Sequence, residues 1–597
     1  MNEESQKTCD FAGPMINTGA GLLSPYLRVL GTGLLALLIA STLILAWVPP
    51  VSRDALTHHL IVPKLFLQHG GPYEIPSIVF SYYPMNLDLL YMIPLYFGND
   101  IAPKLIHFTF AVLTAWLIFR YLKKRIDRSW ALVGAIFFLS LPIIVKLSIT
   151  AYVDLGLVFF STASIVCLFE WHDDRCRLKY LVLAGACCGL ALGTKYNGLI
   201  VWFILTIFVP FIFLSNTKTN PSLKNPARKG TSINRPIKAI GFGAIFFMVA
   251  LLVFSPWMIR NYVWKANPIY PLYNNVFNPQ IARSPNVNPV SYGLEPAANQ
   301  QQIPKTKSTH WGPLALRTVM YGDSWWEIGL LPVRIFFQGQ DDNPKYFDGK
   351  LSPFLFCLPF FAFMGFKNNG PKLQTEKKIL LFFSISFVLL AFSQASIRIR
   401  YVAPIIAPLV MLAILGFHDM TAVLARRWKS RPHWFATGCI VLLVGGLLAY
   451  NGVYIYQQFK YVKPFSYLSG AVSRDEYIAG YRPEYAIYQY ANRNLPDDAK
   501  ILGLFLGNRR YYSERDVIFG KELFRDIVNK ADSEDMFLGG LNEKGITHLA
   551  IRFDLFNRWN NRQFNDNKKE MLKQFFAGQL RHLFSKDGYG LFELRLK

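Results

Sequence analysis

The chain has 597 residues, 52% of them hydrophobic, and a formal net charge of +25 from 63 Lys and Arg against 38 Asp and Glu. Its mean hydropathy of +0.24 excludes an ordinary soluble protein, and its apolar runs reach the about 18 to 20 residues that cross a bilayer. A basic excess in a soluble chain would point to nucleic acid; here much of it falls in short loops between apolar runs, where the positive-inside rule accounts for it, so no nucleic-acid partner is expected. The seven cysteines form no metal pattern: Cys167, Cys187, Cys188, Cys357 and Cys439 lie in apolar runs, and the region after residue 456 has none, so no disulfide framework is implied.

Apolar periodicity predicts about eleven spans, at 27–48, 101–121, 130–146, 154–171, 180–195, 197–215, 238–256, 351–366, 379–394, 400–417 and 434–455. The first is too long for a signal-peptide core and ends at Val48-Pro49-Pro50, so no cleaved leader is expected. Basic residues follow every second span: Lys123 and Lys124, Arg175 and Lys179, Lys224 and Arg228, Lys367 and Lys372, Arg426 and Lys429. That alternation puts these loops and the N-terminus in the cytoplasm. The other side then holds a first outer loop at 49–100, a long outer loop at 257–350, and the C-terminus.

The first outer loop opens on Arg53-Asp54-Ala55-Leu56-Thr57-His58-His59-Leu60, a carboxylate and two imidazoles where the chain leaves the membrane. Asp54 reads as a helix N-cap, which does not exclude chemistry, and His58 lies four residues on, on the same helical face. Tyr83 follows in Ser81-Tyr82-Tyr83-Pro84. Asp154 is the one acid of the next outer turn and opens an apolar helix whose dipole favours its ionised form. Lys195, in Gly193-Thr194-Lys195-Tyr196-Asn197-Gly198, interrupts an apolar stretch; it reads either as a snorkelling side chain or as a cation at a cavity mouth. Arg260, Arg398 and Arg400 add cations on the same side, and the alternation of Arg398 and Arg400 turns them toward different targets. Outer cations near two outer acids suit an anionic substrate with a lipid tail, and arginine suits phosphate.

Region 456–597 has soluble composition. Strands are expected at 501–506, 546–551 and 590–594, and helices at 522–530 and 568–579, giving a small α/β domain behind a transmembrane unit at 1–455. No internal repeat and no glycine-rich phosphate loop is present.

Taken together, Arg53–Leu60 with Pro63-Lys64-Leu65, Tyr82-Tyr83-Pro84, Tyr152-Val153-Asp154, Gly189–Gly198, Pro256-Trp257 through Asn267-Pro268, and Arg398-Ile399-Arg400-Tyr401 resemble the GT-C glycosyltransferases that use polyprenyl-phosphate sugars. The resemblance is to the branch of the protein O-mannosyltransferases and the lipid A aminoarabinose transferase, and it covers about the first 400 residues. It implies that Asp54 is the first-loop catalytic acid, that Asp154 is the second-loop acid and that Lys195 contacts the donor phosphate. Two departures bear on the acceptor. Ala55 stands where the mannosyltransferases carry a second acid, and the C-terminal region lacks their β-trefoil character.

The expected reaction is an inverting transfer to an acceptor hydroxyl, with Asp54 as general base and cations stabilising the departing phosphate. His58, Arg260, Arg398, Arg400 and Tyr83 are expected at the substrate. The acceptor is a lipid, a glycan or a protein. No cofactor is required, although two acids are able to chelate a divalent metal. The expected location is the bacterial inner membrane, with the site and C-terminus outside. A lipid-linked sugar flippase and an envelope-assembly scaffold are the alternatives; mid-membrane charges or paired repeats would mark the flippase.

Overall fold

The computed structural model describes residues 25–219, 234–279, 313–364, 369–392, 397–427 and 433–595. Several cations used above to orient the chain, including Lys224, Arg228, Lys367 and Lys429, lie outside the described residues.

Most predicted spans coincide with a helix or a bent helix pair, but at 351–366 the described helix is only Phe354–Phe361. Six of the described helices are long and apolar enough to cross a membrane, and the pair Arg128–Ser140 and Pro142–Ser148, bent by 63° at Leu141, makes a seventh. The segment Ile399–Val423 is 94% buried while Arg28–Ala46 is 17% buried, so the former is a central post and the latter lies at the periphery of the bundle. The apolar core runs between these spans, joining Phe108, Phe138, Trp171, Phe246 and Met411.

One span is longer than expected. The helix Asn234–Lys265 passes straight through Pro256, where the sequence reading ended it. Proline there leaves the carbonyl of Leu252 without its helical donor. The Ser255 hydroxyl donates to that carbonyl at 2.7 Å, so the helix continues and carries Trp257, Arg260 and Asn261 in its last turns. The first outer loop is itself helical at Ile61–His69 and Asn86–Tyr96. The latter leaves Ile93, Tyr96 and Phe97 exposed, the aromatic and apolar edge expected of a segment lying in the membrane interface.

The last long helix ends at Val462. Beyond it a five-stranded sheet forms from β1 (Lys500–Leu504), β2 (Asp516–Phe519), β3 (His548–Arg552), β4 (Leu580–Lys586) and β5 (Tyr589–Leu594), in the order β2-β1-β3-β5-β4. β1 pairs in parallel with β2 and β3, and β5 is antiparallel to β3 and β4. β1 and β3 are covered on both faces, which explains their unbroken apolar sequence. Asp587 and Gly588 both take positive φ, the two-residue turn that closes a tight hairpin between β4 and β5. The expected strands are present. β2 and β4 were not foreseen, because β2 has four residues and β4 is largely exposed.

Candidate active site

Asp54 sits at the end of a non-helical passage, and its main chain is held from several directions. The carbonyl of Val48 accepts from the buried Lys104 ammonium, that of Pro50 from the Tyr512 hydroxyl and that of Val51 from the Arg482 guanidinium. Two of these three donors come from the C-terminal region, so that region helps place Asp54. The chain then winds as one wide turn over Ala55–His59, closed by Leu60 N–H on the Ala55 carbonyl at 2.9 Å.

The N-cap expectation for Asp54 is corrected here: its side chain makes no capping hydrogen bond. Its carboxylate instead meets the Arg400 guanidinium at 2.6 Å. Burial would raise the Asp54 pKa, but Arg400, with His58, Arg398 and His59, outweighs it and holds the carboxyl well below the usual carboxylate range. The Arg400 guanidinium carbon lies 5.1 Å from the centre of the Tyr152 ring and 5.4 Å from that of Tyr401, cation–π contacts that help orient it. Its Nε has no partner.

Asp154 begins the helix Asp154–Asp173, as expected, and its Oδ1 accepts from the Lys195 ammonium at 2.6 Å. Its Oδ2 is buried without a partner. The turn that carries Lys195 is reached closely by the first outer loop. Asn86 N–H donates to the Gly193 carbonyl at 2.9 Å, and a Cβ on Gly193 would stand 2.3 Å from the Asn86 side-chain nitrogen, so a larger residue there would have to displace the Asn86 side chain from the Leu190 carbonyl and Trp257. The Lys195 ammonium lies 5.1 Å from the Tyr401 ring centre. The Tyr401 ring is thus near both cations, Lys195 and Arg400.

Arg260 is sandwiched by Trp257 and Trp264, at 4.6 and 5.0 Å from their ring centres. It donates to the Tyr83 carbonyl at 3.1 Å, while its Nη1 is buried without a partner. Tyr83 in turn packs on Tyr196, with ring centroids 5.1 Å apart. His58 hydrogen-bonds to Thr57 at 2.9 Å and stacks on Phe80; burial first, then the neighbouring His59, lowers its pKa well below the ordinary value. Arg398 meets Asp348 at 3.4 Å, so the two arginines of the Ile399 turn take different carboxylates.

The expected residues fall in two linked groups. Asp54, Arg398 and Arg400 line a cavity of about 1080 Å³ beneath the C-terminal region. Asp154, Lys195, Arg260, His58 and Tyr83 lie outside its lining. Sequence reasoning missed Tyr152, Tyr401, Asp348 and His107 as parts of this arrangement. Tyr152 and Tyr401 stood in the quoted motifs beside the chosen charges. His107 is fully buried, accepts from Leu155 N–H at 2.9 Å and bonds to the Thr150 carbonyl at 2.9 Å. It thereby fixes the turn that presents Tyr152 and Asp154, and no local signal marked it.

Among the described residues no three His, Cys, Asp or Glu side chains converge as metal ligands. Asp54 and Asp154 each already face a separate cation.

Residues 64–267 match the model of the dolichyl-phosphate-mannose-protein mannosyltransferase family. No curated protein matches the chain. Among solved structures, ArnT from Cupriavidus metallidurans in the apo state aligns with a TM-score of 0.54 at 14% identity, over 94% of this chain and 98% of that one. The same protein bound to undecaprenyl phosphate gives 0.52 at 12% identity with the same coverage. The Archaeoglobus fulgidus oligosaccharyltransferase in the apo form gives 0.51 at 12% identity, over 88% of this chain and 70% of that one. The chain is thus a multi-pass membrane protein with the GT-C fold, and its residues 64–267 resemble the dolichyl-phosphate-mannose-protein mannosyltransferase family.

Proposed function

We propose that this protein is an inverting glycosyltransferase that moves a sugar from a polyprenyl-phosphate donor to an acceptor hydroxyl on the outer face of the membrane. The observation that carries the reading is the Asp54–Arg400 pair on the wall of the cavity. It brings an ionised carboxylate and a guanidinium with an unpartnered Nε to one point, beside a route open to a substrate. The family match over residues 64–267 and the fold shared with an ArnT that binds undecaprenyl phosphate support the donor class.

In this reading residues 1–455 form the transmembrane catalytic unit and 456–597 an outer module. The N-terminus faces the cytoplasm, the C-terminus lies outside, and the membrane is the bacterial inner membrane. Asp54 takes the proton of the acceptor hydroxyl as its oxygen bonds to the anomeric carbon. The bond from that carbon to the phosphate oxygen breaks, and its electron pair leaves with the polyprenyl phosphate. One displacement inverts the anomeric centre.

Negative charge grows on the departing phosphate, and Lys195, Arg260 and Arg400 are the cations that meet it. An arriving phosphate competes with Asp54 for Arg400. That exchange frees the carboxylate and raises its basicity when the donor is in place. Asp154 holds and aims Lys195, His58 and Tyr83 border the sugar, and Arg398 adds to the positive field. No step is assigned to a metal.

The test is turnover by purified protein of a panel of radiolabelled polyprenyl-phosphate sugars, with bacterial envelope extract as the acceptor source. At least one donor is expected to pass its label to acceptor with inversion. A panel that stays intact throughout would end this reading.

A further inference from the structure

The cavity that holds Asp54 is closed on its other side by the C-terminal region, and its charge is lopsided. Twelve lysines and arginines line it against five aspartates and glutamates. The chain from Tyr456 onward contains 23 Lys and Arg against 18 Asp and Glu. Seven of those cations and one of those acids, Glu522, face the cavity. The whole basic surplus of the outer region is therefore gathered on the one face that looks toward Asp54.

Part of this wall is internally neutralised. Asp554 meets Arg552 and Arg558, Glu522 and Asp526 meet Arg525, and Glu484 meets Arg509. Lys521 and Arg562 have no carboxylate partner among the described residues, and Arg482 donates only to the main-chain carbonyls of Val51 and Tyr481. Burial, and then repulsion from Arg509, lower the Arg482 pKa, and the nearby Glu484 offsets this only in part, since desolvation and a like charge both disfavour the charged form. Cations in a concave site focus field lines and raise the local concentration of anions. The volume of about 1080 Å³ slightly exceeds the range of roughly 300–1,000 Å³ for small-molecule sites, so it accommodates more than one sugar unit. Of the cations assigned to the donor phosphate, Lys195 and Arg260 do not line this cavity and Arg400 lines it beside Asp54, so the C-terminal basic wall is left for the other substrate.

We infer that the acceptor is a saccharide carrying two or more negative charges, seated between the C-terminal basic wall and Asp54; this rests on the transferase reading above. Lys521, Arg558 and Arg562 hold its anionic groups, phosphate or carboxylate, while its hydroxyl faces the Asp54 carboxylate. A neutral polypeptide would leave the wall without a counter-charge.

Binding without donor tests this separately from turnover. The full chain in nanodiscs of neutral phosphatidylcholine is titrated at low salt with glucose 1,6-bisphosphate, trigalacturonate and maltotriose. At least one of the two anions is expected to bind about tenfold more tightly than maltotriose and to weaken as salt rises. Arg558→Glu with Arg562→Glu should weaken that anion by about tenfold or more, whereas Lys573→Glu, a charge reversal of equal sign away from the cavity, should change it less than about twofold. Lys521→Gln repeats the test without charge reversal should the double variant misfold. The inference is overturned if neither anion outbinds maltotriose, or if Lys573→Glu weakens binding as much as the cavity variants. Donor turnover with a neutral acceptor and no anion binding would overturn it while leaving the transferase reading intact. Anion binding with every donor untouched would do the reverse.

Discussion

Two ion pairs in this protein have the same length, 2.6 Å, and opposite settings. In the Asp54–Arg400 pair the carboxylate is 20% exposed and opens on the cavity. In the Asp154–Lys195 pair the carboxylate is 1% exposed and the cation 17%. An acid that reacts must be reachable by a proton donor, so accessibility favours Asp54 as the reacting group. An acid that only holds a cation needs no such access, and removing one partner of a buried pair leaves an uncompensated charge. Equal distances therefore conceal different work, and each substitution should move a different readout.

The largest effect is expected at Asp54. Asp54→Asn should lower kcat by about 10³-fold, within the range assigned to general bases, with little change in melting temperature. Steady-state kinetics and thermal unfolding on one preparation check both halves.

Lys195→Ala comes next and should act on both readouts. It strands Asp154, whose Oδ2 already lacks a partner, and the expected destabilisation is about 3 kcal/mol. Donor affinity should fall as well. Adding Asp154→Asn to Lys195→Met should restore most of the stability, because no charge is then stranded, and should not restore transfer. A snorkelling lysine would instead tolerate Ala with small losses in both measurements.

Arg400→Gln should move the pH profile. The Asp54 pKa is depressed in the folded protein because Arg400 and its neighbours outweigh burial. The group therefore contributes stability above its unfolded value of about 3.9, and that contribution is lost as pH falls through the lower folded value. Without Arg400 the effect of burial gains weight, so the acid limb of kcat/KM should shift to higher pH. A limb that stays in place would dissociate Arg400 from Asp54 in function. The smallest effect is expected from metal removal: excess EDTA should change turnover less than about twofold, since a monophosphate leaving group is met by cations of the chain itself.

How much of this was legible in the sequence follows from range. The spans were readable because burying a membrane helix demands an unbroken apolar run. Asp54, Asp154 and Lys195 stood out in the sequence as ionisable groups at the ends of apolar runs, but not as members of ion pairs. Asp54 finds Arg400, and Arg398 finds Asp348, only when distant segments meet, and nothing local to Asp348 sets it apart from Asp341 or Asp342. The N-cap reading of Asp54 failed for the same reason: a cap is a local bond, and a distant arginine outcompeted it. Pro256 misled in the other direction, because the Ser255 hydroxyl supplied the hydrogen bond that proline removes. The hold of Tyr512 and Arg482 on the Pro50 and Val51 carbonyls is a tertiary fact with no sequence signature.

The difference between the two pairs is tested most directly by donor binding and single-turnover transfer measured together on Asp54→Asn and Asp154→Asn. Asp54→Asn is predicted to bind polyprenyl-phosphate sugar as tightly as the native protein, or more tightly because Arg400 is released, and to transfer no sugar on the native timescale. Asp154→Asn is predicted to bind the donor more weakly and to keep measurable transfer at saturating donor. Near-native transfer by Asp54→Asn, or total loss with intact donor binding in Asp154→Asn, would contradict the assignment of Asp54 as the base.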